Sequence, residues 1–153
     1  MNRLIMAIAT GAYVGTIPKA PGTWGSVAAL VPWLFIKDLP LPLYGAVTAG
    51  TFIVGFLVAG SAEKLLDTPD AGAIVIDEIV GMFITLLLAP GHPLAWLLGL
   101  LYFRIFDIAK PFPVSWFDQH IHGGLGIMLD DVFAGLYALI ALQLSWYIGT
   151  MLF

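Results

Sequence analysis

The sequence predicts an all-α integral membrane protein, a bundle of about five membrane-embedded helices, and three observations carry that prediction. Charged residues make up only 10% of the 153 residues, against roughly 25% in ordinary soluble domains. The mean hydropathy is +0.97. Several uncharged stretches approach the roughly 20 residues with which a helix crosses a bilayer. Runs this apolar must be helical, because a lone strand in hydrocarbon would leave its amide and carbonyl groups unpaired.

The elements follow in chain order. "MNRLIMAIATGAYVG" has one arginine before an apolar stretch and no small-x-small cleavage site before "TIPKAPG"; it is expected to be mature sequence forming a short helix near the interface. The first apolar segment, 24–36, is short and contains Pro32, so it either spans with help from flanking residues such as Ala20 to Gly22 or is re-entrant, leaving four spans. The second, 41–60, is a full-length span. The third, 73–89, is interrupted near its start by Asp77 and Glu78, and the fourth, 93–109, carries Arg104 and Asp107 near its end. The fifth, 132–153, has no charge. No internal repeat divides the chain, and residues 1–153 are read as one domain.

Loop charge arbitrates the topology. If all five segments cross with the N-terminus inside, Arg3, Lys19, Lys64, Arg104 and Lys110 face the cytoplasm and only Lys37 faces out. A re-entrant first segment would split the six evenly, so five crossings are preferred. The same topology gathers Glu63, Asp67, Asp70, Asp77, Glu78, Asp107, Asp118, Asp130 and Asp131 on the cytoplasmic side and leaves Asp38 alone outside. The polar chemistry belongs to one face.

Other chemistries are excluded. Six scattered Lys and Arg in a chain of net charge −4 make no basic stripe for nucleic acid. The absence of cysteine removes thiolate metal sites and cysteine nucleophiles. There is no DxD, no SGH and no DGxxAR, so aspartyl-phosphate enzymes of the DxD type, histidine membrane phosphatases and lipid phosphoalcohol transferases find no signature here.

Carboxylates in the membrane zone cost on the order of 2.5–3.5 kcal/mol each at a helix centre, and they mark functional sites. Asp77, Glu78, Asp107, Asp130 and Asp131 all lie near a predicted helix end at one depth. Gathered in a partly dehydrated pocket they would repel one another unless a divalent cation or a basic group compensates, and Mg²⁺ suits hard carboxylate and phosphate oxygens. Asp130 or Asp131 alone reads equally well as an N-cap, but a cap needs only one of them. In "VIDEIVG" hydrophobic residues flank the acid pair on both sides, which argues against capping. Arg104, Asp107 and Lys110 recur every three residues along one helical stripe, as a salt-bridge ladder or as part of the site. "GTIPKAPGTWGS" offers backbone amides and the Thr23 and Ser26 hydroxyls to an anion at a helix N-terminus. His120 and His122 are expected to face solvent.

The four stretches "PKAPGTWGS", "IVIDEIVGM", "FRIFDIAKPFP" and "GGLGIMLDDVFAG" together resemble the bacterial phosphatidylglycerophosphatase A family, over residues from about 15 to 140. The resemblance implies a Mg²⁺-dependent phosphatase that removes the terminal phosphate of phosphatidylglycerophosphate to give phosphatidylglycerol. It implies a multi-pass protein of the cytoplasmic (inner) membrane with its site facing the cytoplasm, with membrane lipid as substrate and no obligate protein partner. In that reading Asp77, Glu78, Asp107, Asp130 and Asp131 bind Mg²⁺, Arg104 and Lys110 receive the phosphate, and Lys19, Thr23 and Ser26 complete its cradle. Attack by water and attack by an aspartate are both compatible with it. Two alternatives make different demands. A cation-coupled transporter would string acids across the bilayer midplane, and a CDP-lipid phosphoalcohol transferase would need a nucleotide-activated lipid.

Overall fold

A computed structural model describes residues 2–69 and 71–152; Asp70, counted above among the acids of one face, lies outside the described residues, as does the last residue of the fifth segment. Seven α-helices follow one another: α1 (Asn2–Ala9), α2 (Pro21–Ile36), α3 (Leu41–Leu66), α4 (Ile76–Thr85), α5 (Pro93–Ala109), α6 (Val114–His120) and α7 (Gly123–Leu152), with one 3-10 turn at Val14–Thr16. No strand occurs among the described residues. The all-helical class holds, and two helices, α3 and α7, are long and apolar enough to cross a membrane. α2, α5 and α4 have 16, 17 and 10 residues. At 1.5 Å per residue they rise about 24, 26 and 15 Å, so α4 reaches only half the depth of a hydrocarbon core about 30 Å thick.

Three boundaries differ from the sequence reading. α4 ends at Thr85 because the apolar run continues through a turn in which Leu88 takes a left-handed conformation, φ 55°. α3 continues past residue 60 through the polar Ser61–Lys64 to Leu66. α7 begins nine residues before the expected start, at Gly123, so Asp130 and Asp131 lie two turns inside the helix and cannot be its caps.

α4 is the hub, packed against α7, α2, α3 and α5 and buried on nearly every side. It runs parallel to α7: Gly81 meets Gly135, and beyond them Gln143 Nε2 donates to the Leu87 and Leu88 carbonyls at 3.1 and 3.2 Å. That amide satisfies carbonyls left open at the end of α4. α2 runs the same way, with Gly25 on Val75 and Trp33 edge-on to Trp96 at 5.3 Å. α3 and α5 run oppositely, since Tyr44 Oη donates to the Phe83 carbonyl at 2.5 Å while Gly55 meets Ile76, and Gly99 meets Leu86 while Phe103 meets Gly81. α2, α3, α4, α5 and α7 thus alternate in direction.

Glycine makes this closeness possible. A Cβ on Gly124 would run into the Phe56 carbonyl oxygen and one on Gly135 would sit 2.6 Å from that of Gly81, so α7 touches both α3 and α4 backbone to backbone. The exterior is the reverse of a soluble protein's. Phe35, Leu88, Leu97, Ile108 and Leu152 stand exposed, and only 11% of the most apolar window of α3 is buried in protein. An uncovered apolar surface of this extent suits lipid rather than water.

Candidate active site

Asp77 and Glu78 occupy the first turn of α4, where the positive end of the helix dipole favours carboxylates. Asp131 comes to them from the third turn of α7, held by the Gly81–Gly135 touch one turn further along both helices. One carboxylate oxygen from each of the three lies within 4.8 Å of the others. All three residues are buried, Asp131 to 3% exposure. Asp77 Oδ1, Glu78 Oε2 and Asp131 Oδ2 have no hydrogen-bond partner among the described residues. Buried carboxylate oxygens without partners are the donor set that a hard divalent cation such as Mg²⁺ would take, and Asp77, Glu78 and Asp131 would hold it.

Arg104, near the end of α5, stands beside this triad. Its Nη1 lies 2.5 Å from Asp107 Oδ2 and 3.7 Å from Glu78 Oε1. Its buried Nε has no hydrogen-bond partner among the described residues. The first turn of α2 closes over the pair: a Cβ on Gly22 would collide with Glu78 Oε1 and lie 3.0 Å from Arg104 Nη1. Only glycine lets that helix end approach so near.

Lys110 and Asp130 form a second arm. Lys110 ends α5 in a left-handed conformation, φ 43°, and its ammonium lies between Asp118 of α6 and Asp130, with 2.8 Å to Asp130 Oδ2. Burial alone would lower the Lys110 pKa, but the hydrogen bonds to Asp118 and Asp130 outweigh it and hold the ammonium above the usual lysine range.

Of the ten candidate residues, Asp77, Glu78 and Asp131 therefore converge. Asp107 joins them through Arg104, and Asp130 lies next to Asp131 in the chain but turns to Lys110. Thr23 sits half-buried in the first turn of α2, and Lys19 is exposed just before it. Ser26 is fully buried and donates its hydroxyl to the Gly22 carbonyl at 2.7 Å, so that proton is engaged within the helix. His120 and His122 are exposed, as expected. Sequence reasoning missed two residues. Gly22 had a signal, since a glycine beside proline at a helix start permits close approach; Asp118, within a long polar connector, had none.

A model of the family described as phosphatidylglycerophosphatase A matches residues 7–146, nearly the whole chain. The chain belongs to this family. It is 39% identical over 143 residues to a phosphatidylglycerophosphatase A of Escherichia coli K12, covering 93% of this chain and 81% of that protein. It is 39% identical over 138 residues to one of Haemophilus influenzae, covering 89% and 85%. A Bacteroides thetaiotaomicron protein, named as a proposed phosphatidylinositol-3-phosphatase, is 37% identical over 156 residues, covering 95% of this chain and 96% of its own length. No solved structure matches the chain. All four stretches that carried the resemblance fall inside the matched residues, and three of them contribute to the triad and its arginine.

Proposed function

We propose that this protein hydrolyses the terminal phosphomonoester of phosphatidylglycerophosphate, in a Mg²⁺-dependent reaction at the cytoplasmic face of the inner membrane, where its five alternating helices are embedded. Family membership and the names of the two most similar relatives described above support the activity. The observation that carries the mechanism is the buried triad of Asp77, Glu78 and Asp131 with three oxygens that have no hydrogen-bond partner among the described residues. Four carboxylates, these and Asp107, face one guanidinium, an excess of three negative charges that would repel a phosphate dianion. Mg²⁺ held by the triad would cut that excess from three to one and would supply Lewis-acid polarisation of the phosphoryl group.

The chain's own groups do the rest. Arg104 presents Nε and Nη1 to the equatorial oxygens of the transferring phosphoryl group, and Asp107 fixes the guanidinium plane. The first turn of α2 brings amides and the Thr23 hydroxyl against the same anion, with Lys19 at its entrance. Lys110 clamps Asp130 to Asp118 and so anchors the strand of charge behind Asp131; in this reading its role toward phosphate is indirect. The acids of α4 and α7 cluster at one end of the bundle, which suits a headgroup plane rather than the ion path of a transporter.

The test is release of inorganic phosphate from phosphatidylglycerophosphate by the purified protein, with Mg²⁺ and with EDTA. Release that EDTA abolishes and Mg²⁺ restores is expected; no release under either condition refutes the activity, and release unaffected by EDTA refutes the metal. Phosphatidylinositol 3-phosphate is the comparison substrate, because one relative carries that name.

A further inference from the structure

A groove of about 480 Å³ lies between α3 and α7 with α4 as its floor, and nothing in the proposed chemistry uses it. Gly45 and Thr48 line it from α3, Val80 and Ile84 from α4, and Leu129 and Leu136 from α7. Its two hydroxyl-bearing residues are both engaged elsewhere: Tyr44 Oη donates to the Phe83 carbonyl and Thr48 Oγ1 donates to the Tyr44 carbonyl at 3.0 Å. No donor is left for a polar ligand, so the groove accepts hydrocarbon. At its rim Leu41 and Leu136 are exposed.

We propose that this groove receives one acyl chain of the lipid whose headgroup is hydrolysed, an inference that rests on the function proposed above. Its lower end abuts the site: Val80 is one turn along α4 from Asp77, and Leu129 and Val132 bracket Asp130 and Asp131 on α7. From there it runs away from the acids toward Leu139 and Leu41, at the far end of the bundle. From Leu129 to Leu139 the helix rises about 15 Å, a length that takes an extended chain of about twelve carbons. A groove that begins beside the carboxylates and runs along the helices away from them has the length and orientation of a single acyl chain of the same molecule. Gly45 keeps it open, since no atom lies within 4 Å of where its Cβ would be.

That open space lets Gly45→Leu start a plug whose Cβ meets no neighbouring atom. Gly50, on the same helix but outside the groove, is equally open and gives the control Gly50→Leu. With dioleoyl phosphatidylglycerophosphate in mixed micelles, Gly45→Leu should lower kcat/KM about tenfold, the effect of displacing roughly two methylenes. With the dihexanoyl lipid it should stay near the wild-type value, and Gly50→Leu should match wild type on both. A phosphatidylglycerophosphate with a diazirine in one acyl tail should label wild-type peptides of α3 and α7 lining the groove, and lose that labelling in Gly45→Leu. Equal losses on both lipids, no loss on either, or labelling spread evenly over the apolar exterior overturns the proposal. If wild-type protein releases no phosphate from either lipid, the proposed activity fails; the labelling pattern still decides the groove.

Discussion

Replacing Gly135 by alanine tests whether the carboxylate triad depends on the touch between α4 and α7. The added Cβ would lie 2.6 Å from the Gly81 carbonyl oxygen and 3.2 Å from Gly81 Cα, and backbone atoms cannot rotate aside. Ordinary contact begins near 3.4 Å, so α7 has to retreat from α4 by about 0.8 Å. Asp131 is one turn before Gly135, and Asp77 and Glu78 lie about one turn before Gly81, so the retreat separates Asp131 from its two partners. Two oxygens bound to one Mg²⁺ lie at most about 4.2 Å apart, so separating a set that now lies within 4.8 Å works against binding. A displacement of this size is expected to lower kcat about 10²-fold and to weaken Mg²⁺ binding, with an overpacking penalty of about 1–3 kcal/mol in stability. Gly149→Ala is the control, on the same helix with nothing within 4 Å. Phosphate release at saturating Mg²⁺ and calorimetric titration with Mg²⁺ read the two effects; wild-type kcat and Mg²⁺ affinity in Gly135→Ala would refute the reasoning.

Further outcomes follow from the same geometry. Asp77→Asn and Asp131→Asn should each cut kcat by at least about 10²-fold, yet raise the melting temperature of the Mg²⁺-free protein, because each removes a like charge from a buried group; a lowered melting temperature would count against the repulsion. Saturating Mg²⁺, at about a hundredfold over its Kd, should stabilise the wild type by about 2.7 kcal/mol and Asp131→Asn by much less, as thermal unfolding measures. Gly22→Ala should displace the Glu78 carboxylate and Arg104 and slow phosphate release by about 10²-fold, with circular dichroism unchanged. Lys110→Met takes the ammonium from Asp118 and Asp130 and should cost about 1–3 kcal/mol, less than a fully buried pair because the lysine is partly exposed. Its folded pKa is raised above the unfolded value near 10.4, so the pair's contribution is complete below that pH and lost only as pH rises through the higher folded value. The stability difference between Lys110→Met and wild type should therefore be flat from pH 7 to 9.

The α5 boundaries, Pro93 to Ala109, are legible because proline supplies a helix start and Pro111 forbids continuation. Hydropathy misjudged α4 and α7 in opposite ways for one reason: it measures burial in lipid or protein, not backbone conformation. The turn after Thr85 is as apolar as the helix before it, whereas the glycines and aspartates at the start of α7 look like a break but pack as a helix against α3. The gathering of acids at one end was readable from the alternation of charged and uncharged segments. Which acid faces which partner was not, since the turn of Asp130 to Lys110 depends on where α6 delivers Asp118, and no local pattern encodes that distance.

The shortness of α4 bears on biogenesis. α3 is long, apolar and scarcely covered by protein, so it can enter the bilayer from the translocon as an independent unit. Ten residues cannot, and a segment opening with two carboxylates has no shelter until its neighbours arrive. The most extensive of those neighbours, α7, leaves the ribosome well after α4. The nascent chain therefore carries Asp77 and Glu78 without their α7 partner until that helix emerges, and only then does the carboxylate pocket close.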